Sequence, residues 1–267
     1  MFSPSPSSAK KEKPRLVKIL FIGLIAGCLG GVLGVGGGVV MIPLMVDFLK
    51  FRQHDAHGTS LVAVVCTGIV GTLTYYLHGT ADLLASVLIA GAALTTAKLG
   101  VKYCCILPEV KLKRSFGAFL LLVAALLVFK PCLPNLLDVT ANLPLKIVAF
   151  LVLGLLTGFL SGMMGVGGGV FMVPMMILFI GVGQHTAQGI SLLAMIPAST
   201  LGAWSHYQRG NVRTETLAGL IAGILTGTYL GGSIAHLLPE MPLRLLFTVL
   251  LAYTGIRYLR TKKAAGS

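Results

Sequence analysis

Acidic residues are scarce in this chain. Its 267 residues include 8 Asp and Glu against 21 Lys and Arg. The few acids do not form the clusters that acid–base catalysis or metal binding requires. The chain also has no HExxH motif, no GxSxG motif and no GK[ST] after its glycine-rich stretches. These absences argue against a metallopeptidase, a serine hydrolase and a nucleotide-driven machine.

Metal and redox motifs are missing as well. The five cysteines show no CxxC spacing and most of them fall in apolar runs, so they are predicted to be reduced, small apolar residues. They are Cys28, Cys66, Cys104, Cys105 and Cys132. The string HDAH at 54–57 has metal-ligand residue types, but its counterpart in the second half of the chain reads HTAQ. The sequence therefore predicts neither a metal site nor a cofactor.

Long apolar runs are what the chain has in abundance. Hydrophobic residues make up 55% of it and charged residues 11%. Runs of roughly 20 apolar residues, the length that crosses a bilayer, recur along almost the whole sequence. The net charge of +13 sits between these runs and at the termini, without the aromatic-interleaved stripe typical of nucleic-acid binding. The predicted partner is the lipid bilayer and not nucleic acid.

The sequence contains an internal repeat. GVLGVGGGVVMIP at 31–43 returns as GMMGVGGGVFMVP at 162–174, which is 131 positions later, and the register continues to LPE at 107–109 and 238–240. Two homologous halves of one domain are therefore predicted. The expected divisions are a disordered cytoplasmic tail (1–15), repeat 1 (16–130), an inter-repeat loop (131–145), repeat 2 (146–260) and a cytoplasmic tail (261–267).

Each half contains one apolar run that is too short to span. Residues 39–50 reach only about 18 Å as a helix, whereas a bilayer core is about 30 Å thick. Because glycine permits a sharp turn, the chain is predicted to fold back at the glycines as a broken-helix hairpin, and three spanning helices follow. With this odd number of crossings, the Lys-rich and Arg-rich segments, including both termini, share the cytoplasmic side.

The predicted fold class is therefore an all-α integral membrane protein with two inverted-topology repeats and about 8–10 membrane segments. In such an arrangement the two GVGGG tips approach each other near the membrane midplane, where secondary transporters bind their substrates. Glycines spaced by four, at 23, 27 and 31 and again at 219, 223, 227 and 231, predict close helix packing. Packing alone is the alternative explanation for the tip glycines too.

The tips carry the predicted chemistry. Backbone amides at a glycine turn and at the helix N-termini near Val39 and Val170 present partial positive charge, which suits an anion. The candidate substrate-binding glycines are Gly36, Gly37, Gly38, Gly167, Gly168 and Gly169.

These tips and the segments after them resemble the TauE/SafE family, the sulfite exporter or anion permease family of bacterial inner membranes. The similarity rests on GVLGVGGGVVMIPLM followed by QHDAHGTS, and on GMMGVGGGVFMVPMM followed by QHTAQGIS. It covers roughly residues 16–260. The resemblance implies a multi-pass inner-membrane transporter of small organic or sulfur-containing anions such as sulfite, sulfonates and sulfoacetate-like compounds. It does not imply a direction of transport.

Polar residues near the tips complete the candidate site. Gln53 and His54 match Gln184 and His185 in the repeat, and hydroxyls follow on the next helices at Thr59, Ser60 and Ser191. The histidines either contact substrate or relay protons, or they only cap helix ends at the membrane surface. Asp47 and Lys98 lie inside apolar runs and are candidates for coupling, with a structural pair as the alternative.

The sequence thus predicts a secondary transporter of a small anion, with no enzymatic activity. A non-transporting membrane scaffold and a membrane-embedded enzyme are the alternatives. The coupling ion, a proton or a sodium ion, and the oligomeric state do not follow from the sequence.

Overall fold

The structure is a computed structural model, and the residues it describes are 8–104, 109–129, 143–164 and 167–260. Within these ranges the chain is helical and contains no strand, which confirms the predicted all-α class. The helices are α1 (Ser8–Leu33), α2 (Gly38–Leu49), α3 (Gln53–Leu77), α4 (Leu83–Cys104), α5 (Glu109–Phe129), α6 (Leu143–Met164), α7 (Gly169–Met175), α8 (Gln184–Gln208), α9 (Thr214–Leu237) and α10 (Glu240–Leu259). A π-helical segment, Met176–Ile180, continues α7.

Several helices begin earlier than the apolar runs predict. Helix α1 starts at Ser8, inside the predicted tail 1–15, because alanine and lysine are good helix formers that extend the apolar helix outward. Helix α6 starts at Leu143, inside the predicted loop 131–145. The boundaries predicted for that tail and that loop are therefore wrong by a few residues. Residues 1–7, 131–142 and 261–267 of the predicted tails and loop lie outside the described residues.

The first hairpin turns where the glycines predict. Helix α1 ends at Leu33 and α2 begins at Gly38. Gly34, Gly36 and Gly37 have φ angles of +67°, +76° and +72°, a region that side chains with a Cβ rarely adopt. A Cβ built on Gly30 would lie 2.5 Å from the amide nitrogen of Gly37, so the start of α2 lies directly against the last turns of α1.

The second hairpin repeats this geometry. Gly167 and Gly168 have φ angles of +81° and +80°, and α7 begins at Gly169. The helical run that starts there ends at Ile180, so it is as short as its counterpart in the first half. Both broken helices are thus present at the predicted positions.

Helix α1 packs on α9, and α6 packs on α4. A Cβ on Gly27 would lie 2.7 Å from the carbonyl oxygen of Ile224, and one on Gly31 would lie 2.9 Å from the amide nitrogen of Gly232. The glycines spaced by four therefore bring the two backbones into direct contact, as predicted. Residues further along α1 contact residues further along α9, so the two helices run in the same direction.

Helices α3 and α8 cross at the centre of the bundle, and α5 packs against α10. Gly202 on α8 lies against Leu61 near the start of α3, whereas Gly68 further along α3 lies against Leu192 near the start of α8. Residues further along α3 therefore contact residues earlier in α8, so these two helices run in opposite directions.

The outer surface of the bundle is apolar. Large side chains such as Leu73, Phe129 and Val249 are more than half exposed, which is expected of a lipid-facing surface. Within the described residues, four helices are long and apolar enough to cross a bilayer. They contain the segments Leu16–Leu33, His54–Leu77, Pro144–Ser161 and Thr214–Leu237.

Candidate functional site

The two glycine tips meet inside the bundle. A Cβ built on Gly169, at the start of α7, would lie 2.8 Å from the Cα of Val35 and 3.0 Å from the carbonyl oxygen of Gly34 in the other tip. The described residues of both tips, 34–38 and 167–169, are buried. The approach of the tips that the repeat predicts is therefore found in the structure.

Equivalent side chains from the two central helices cover the tips. Val64 on α3 and Met195 on α8 occupy the same position in the two repeats. A Cβ on Gly36 would lie 2.6 Å from the sulfur of Met195 and 2.9 Å from Val64, and one on Gly167 would lie 2.7 Å from Val64. Two apolar side chains thus pack directly on the glycine backbone of the tips.

The helices that start at the tips have uncapped N-termini. Neither Gly37 before α2 nor Gly168 before α7 has a side chain that accepts a hydrogen bond from the first turn. The first N–H groups of a helix have no acceptor within that helix. Two sets of such groups, with their partial positive charge, therefore lie close together in a buried region with few polar side chains.

Two hydroxyls beside the tips, those of Ser199 and Thr157, have no hydrogen-bond partner among the described residues. Ser199 on α8 is fully buried, and its Oγ lies 3.3 Å from a Cβ built on Gly167. Among the described residues it makes no hydrogen bond, although serine in a membrane helix commonly bonds back to its own turn. Thr200, the next residue, does so and donates to the carbonyl of Ile196 at 2.8 Å.

Other polar groups hold the first tip in place. Ser191 donates a hydrogen bond to the carbonyl of Gly34. The hydroxyl of Tyr75 lies 3.0 Å from the carbonyl oxygen of Gly31 and 3.0 Å from Oε1 of Gln188. All three side chains are fully buried, so the tip is fixed by α3 and α8 together. An anion that binds here would face groups already held in position.

A sequence model of the sulfite exporter TauE/SafE family matches residues 19–258, which is most of the chain. The chain belongs to the TauE/SafE family. No solved structure matches this family member.

Similar proteins carry transporter names. The TauE/SafE chain is 24% identical to the probable membrane transporter protein YdhB of Bacillus subtilis, over 85% of this chain and 93% of that protein. It is 26% identical to the probable membrane transporter protein YunE of the same bacterium, over 90% and 95% of the two chains. The probable membrane transporter protein MJ0441 of Methanocaldococcus jannaschii is 26% identical over 72% of each chain.

The family and these relatives settle the class of the protein. It is a multi-pass membrane transporter of the TauE/SafE family, as its apolar helices also indicate. Because this is a family of transporters and not of enzymes, the prediction that the chain is not an enzyme is confirmed.

The hydroxyls predicted on α3 of this TauE/SafE protein are used elsewhere. Thr59 accepts a hydrogen bond from the amide of Arg213 at 3.1 Å, and Ser60 donates to the carbonyl of His57 at 2.9 Å. Both lie near the start of α3. Among the described residues, Ser191 contacts the first tip.

The paired Gln–His residues lie in the first turns of α3 and α8, and not before those helices as predicted. His54 is exposed, and the side chain of Gln53 lies outside the description. Gln184 is buried and its side-chain amide has no partner among the described residues. His185 lies at the end of the bundle, with Nε2 3.0 Å from the carbonyl of Ala235.

Asp47 of the TauE/SafE protein lies on the outer surface at the end of α2. Its side chain is 55% exposed and lies 3.0 Å from Arg257 on α10. This position favours the structural pair over the coupling role, and Lys98 is not its partner in this contact. The side chain of Lys98 lies outside the description.

The sequence reasoning missed a buried carboxylate. Asp55 on α3 is 1% exposed and is bound by Arg213 at 2.7 Å and 3.0 Å, with Arg52 at 3.4 Å. Its hydrogen bond to Arg213 raises the pKa of that guanidinium above the usual value. An acid in the first turn of an otherwise apolar helix was the available signal. Within the described residues, no group of His, Cys, Asp and Glu is arranged to hold a metal.

Proposed function

We propose that this protein is a secondary transporter of a small organic or sulfur-containing anion, such as sulfite, a sulfonate or a sulfoacetate-like compound. The observation that carries the proposal is the meeting of the two uncapped glycine tips beside the unpartnered hydroxyl of Ser199. Backbone amides supply positive potential without a buried cation, and the hydroxyl supplies one further donor. We place the substrate between Gly36–Gly38, Gly167–Gly169, Ser199 and the two covering side chains.

The proposal includes inverted repeats, residues 16–130 and 146–260, joined by a loop into one transporter domain. Helix directions support it. Helices α3 and α8 are equivalent in the repeat and run in opposite directions. The first helix of each half packs against the other half: α1 lies along α9, and α6 lies along α4. This arrangement is what a two-fold axis through the paired tips produces, and such an axis puts the site near the midplane.

We also propose that both termini face the cytoplasm of a bacterial inner membrane. Arginines gather at one end of the bundle, where Arg213 contacts Asp55 and Arg257 contacts Asp47. The opposite end contains His78, His185 and Glu240. Since Lys and Arg are retained on the cytoplasmic side, the arginine-rich end is assigned there.

Single cysteines at Gly79 and Gly210 test this topology. The two glycines are equivalent in the repeat, both have φ near +70°, and neither has an atom within 4 Å of a Cβ position. In a background without the five native cysteines, Gly79→Cys should react with an impermeant maleimide from outside intact cells. Gly210→Cys should react only after the cells are opened. Reaction of both from the same side would rule out the inverted arrangement.

Counterflow in proteoliposomes tests the proposed function. Purified protein is reconstituted with unlabelled sulfite, thiosulfate, a sulfonate or a carboxylate inside, and the same anion, labelled, is added outside. We expect transient accumulation of at least one sulfur-containing anion and none with protein-free liposomes. Absence of counterflow with every anion of this panel would favour the scaffold alternative.

A further inference from the structure

Three histidines from three helices form a cluster at the end of the bundle opposite Arg213 and Arg257. The rings of His78 and His236 stack with centroids 4.1 Å apart, and the ring of His185 is centred 5.4 Å from that of His236. His78 lies at the end of α3, His185 at the start of α8 and His236 at the end of α9. We propose that this cluster, centred on His236, binds the proton that couples anion movement to a pH gradient.

The hydroxyl of Thr80 can bond to both His236 and the carbonyl of Tyr75 only when the His236 ring carries an extra proton. Nδ1 lies 2.7 Å from the carbonyl of Gly232, so Nδ1 carries a hydrogen. Nε2 lies 2.9 Å from the hydroxyl of Thr80, which itself lies 3.1 Å from the carbonyl of Tyr75. Threonine has one hydrogen to donate, and it goes either to Nε2 or to that carbonyl.

Protonation of Nε2 removes this conflict. The ring then donates to the oxygen of Thr80, and Thr80 donates to the carbonyl of Tyr75. A proton therefore ties the end of α9 to the end of α3 through two hydrogen bonds in series. Loss of the proton leaves one of the two unmade. The carbonyl of Tyr75 then keeps only the hydrogen bond from the backbone amide of Thr80, at 3.0 Å, so the end of α3 is held less firmly.

Neighbouring groups limit the cluster to one proton. Two imidazolium rings 4.1 Å apart repel each other strongly, so protonation of His236 disfavours protonation of His78 and the reverse. Glu240 on α10 lies 4.0 Å from Nδ1 of His185 and supplies a negative charge beside the cluster. The titratable and charged groups on the elements around the cluster are Tyr75 and His78 on α3, Asp82 before α4, His185 on α8, and Glu240 and Arg244 on α10.

The cluster is connected to the proposed substrate site through Tyr75. Its ring packs edge-on against His236, with centroids 4.5 Å apart, and its hydroxyl contacts the carbonyl of Gly31 and the amide of Gln188. Gln188 lies directly against Gly34, and Ser191, one turn further along α8, bonds to that glycine. A movement of the end of α3 on protonation is therefore transmitted to the first tip. Helix α8 carries both His185 and the tip contacts, which gives a second connection.

The inference rests on the proposed function, and the transport test separates the two. Proteoliposomes are assayed with labelled sulfite, thiosulfate and the sulfonate in two ways, by counterflow without a gradient and by accumulation under an imposed gradient of about one pH unit. Such a gradient supports about tenfold accumulation for each coupled proton. The wild type should show both activities, whereas His236→Gln should retain counterflow and lose accumulation. The matched control is His206→Gln, at the arginine-rich end of α8, which should retain both.

The outcomes are distinct. Absence of counterflow in the wild type contradicts the proposed function itself. The wild type could instead show counterflow together with accumulation that does not depend on the pH gradient, or that depends on a sodium gradient. That result overturns only the proton site. Equal accumulation by His236→Gln and wild type also overturns it.

An NMR titration of the purified protein tests proton binding independently of transport. Histidine-labelled protein is studied by NMR between about pH 5 and 8, and the His236 signal is assigned by its loss in His236→Gln. The midpoint of that signal should be higher when His78 is replaced by Gln. An unchanged midpoint would show that the rings do not share a proton and would overturn the proposal.

Discussion

Leucine at Gly37 or at Gly168 should abolish anion transport. Both glycines have left-handed φ angles, +72° and +80°, which cost a residue with a Cβ roughly 1–3 kcal/mol. A Cβ on Gly37 would collide with the carbonyl oxygen of Ala26, and one on Gly168 would lie 2.6 Å from Thr157. The turn of each hairpin would have to open. The N-terminus of the helix that follows the turn would then move away from the opposite tip. Counterflow should fall to the level of protein-free liposomes.

Gly210→Leu is the control for backbone strain alone. Its φ angle is +71°, but no atom lies within 4 Å of its Cβ position, so leucine there meets the same conformational cost without a collision. It should retain most of the wild-type counterflow. If Gly37→Leu and Gly168→Leu inserted, remained monodisperse and transported at the wild-type rate, the tips would have no part in the transport path.

Leucine at Gly223 should prevent accumulation of folded protein. A Cβ there would collide with the carbonyl oxygen of Leu20 and lie 2.8 Å from the amide nitrogen of Leu24, and both atoms belong to the backbone of α1. Neither can rotate away, so the two helices must separate along their glycine contact. Overpacking commonly costs about 1–3 kcal/mol and costs more where backbone must move. The yield of monodisperse protein in detergent should fall severely.

The matched control for that substitution is Gly91→Leu. Gly91 also lies within a membrane helix, but it is exposed and no atom lies within 4 Å of its Cβ position. It should give the wild-type yield and thermal stability. Equal yields from Gly223→Leu and Gly91→Leu would mean that the contact between α1 and α9 does not hold the fold together.

The positions of the broken helices and of the close helix contacts could be read from the sequence because they depend on glycine. A residue without a Cβ at 34, 36 and 37 marks a turn, and glycines spaced by four mark a backbone contact. Both signals are local in the chain. The start of α1 was harder to predict, because lysine and alanine continue a helix without any change in apolar pattern.

The side chains of the site were less predictable because their partners are distant in the chain. Ser199 and Thr200 look alike in sequence, and only the fold turns one toward a tip and bonds the other to its own helix. The three clustered histidines lie on separate helices. His185 matches His54 in the other half, but His78 and His236 have no histidine counterpart, so the comparison of the halves passed over them.

Equilibrium binding of a labelled anion to purified Ser199→Ala and Thr200→Ala protein tests most directly whether substrate binds between the tips. The Ser199 hydroxyl has no intramolecular partner among the described residues, so its removal should leave the melting temperature unchanged. A hydrogen bond to a charged group is worth about 1.5–3 kcal/mol, so the affinity should fall about ten- to a hundredfold. Thr200→Ala should bind like the wild type. If Ser199→Ala also bound with wild-type affinity, the anion would not contact this hydroxyl and the site would have to lie elsewhere.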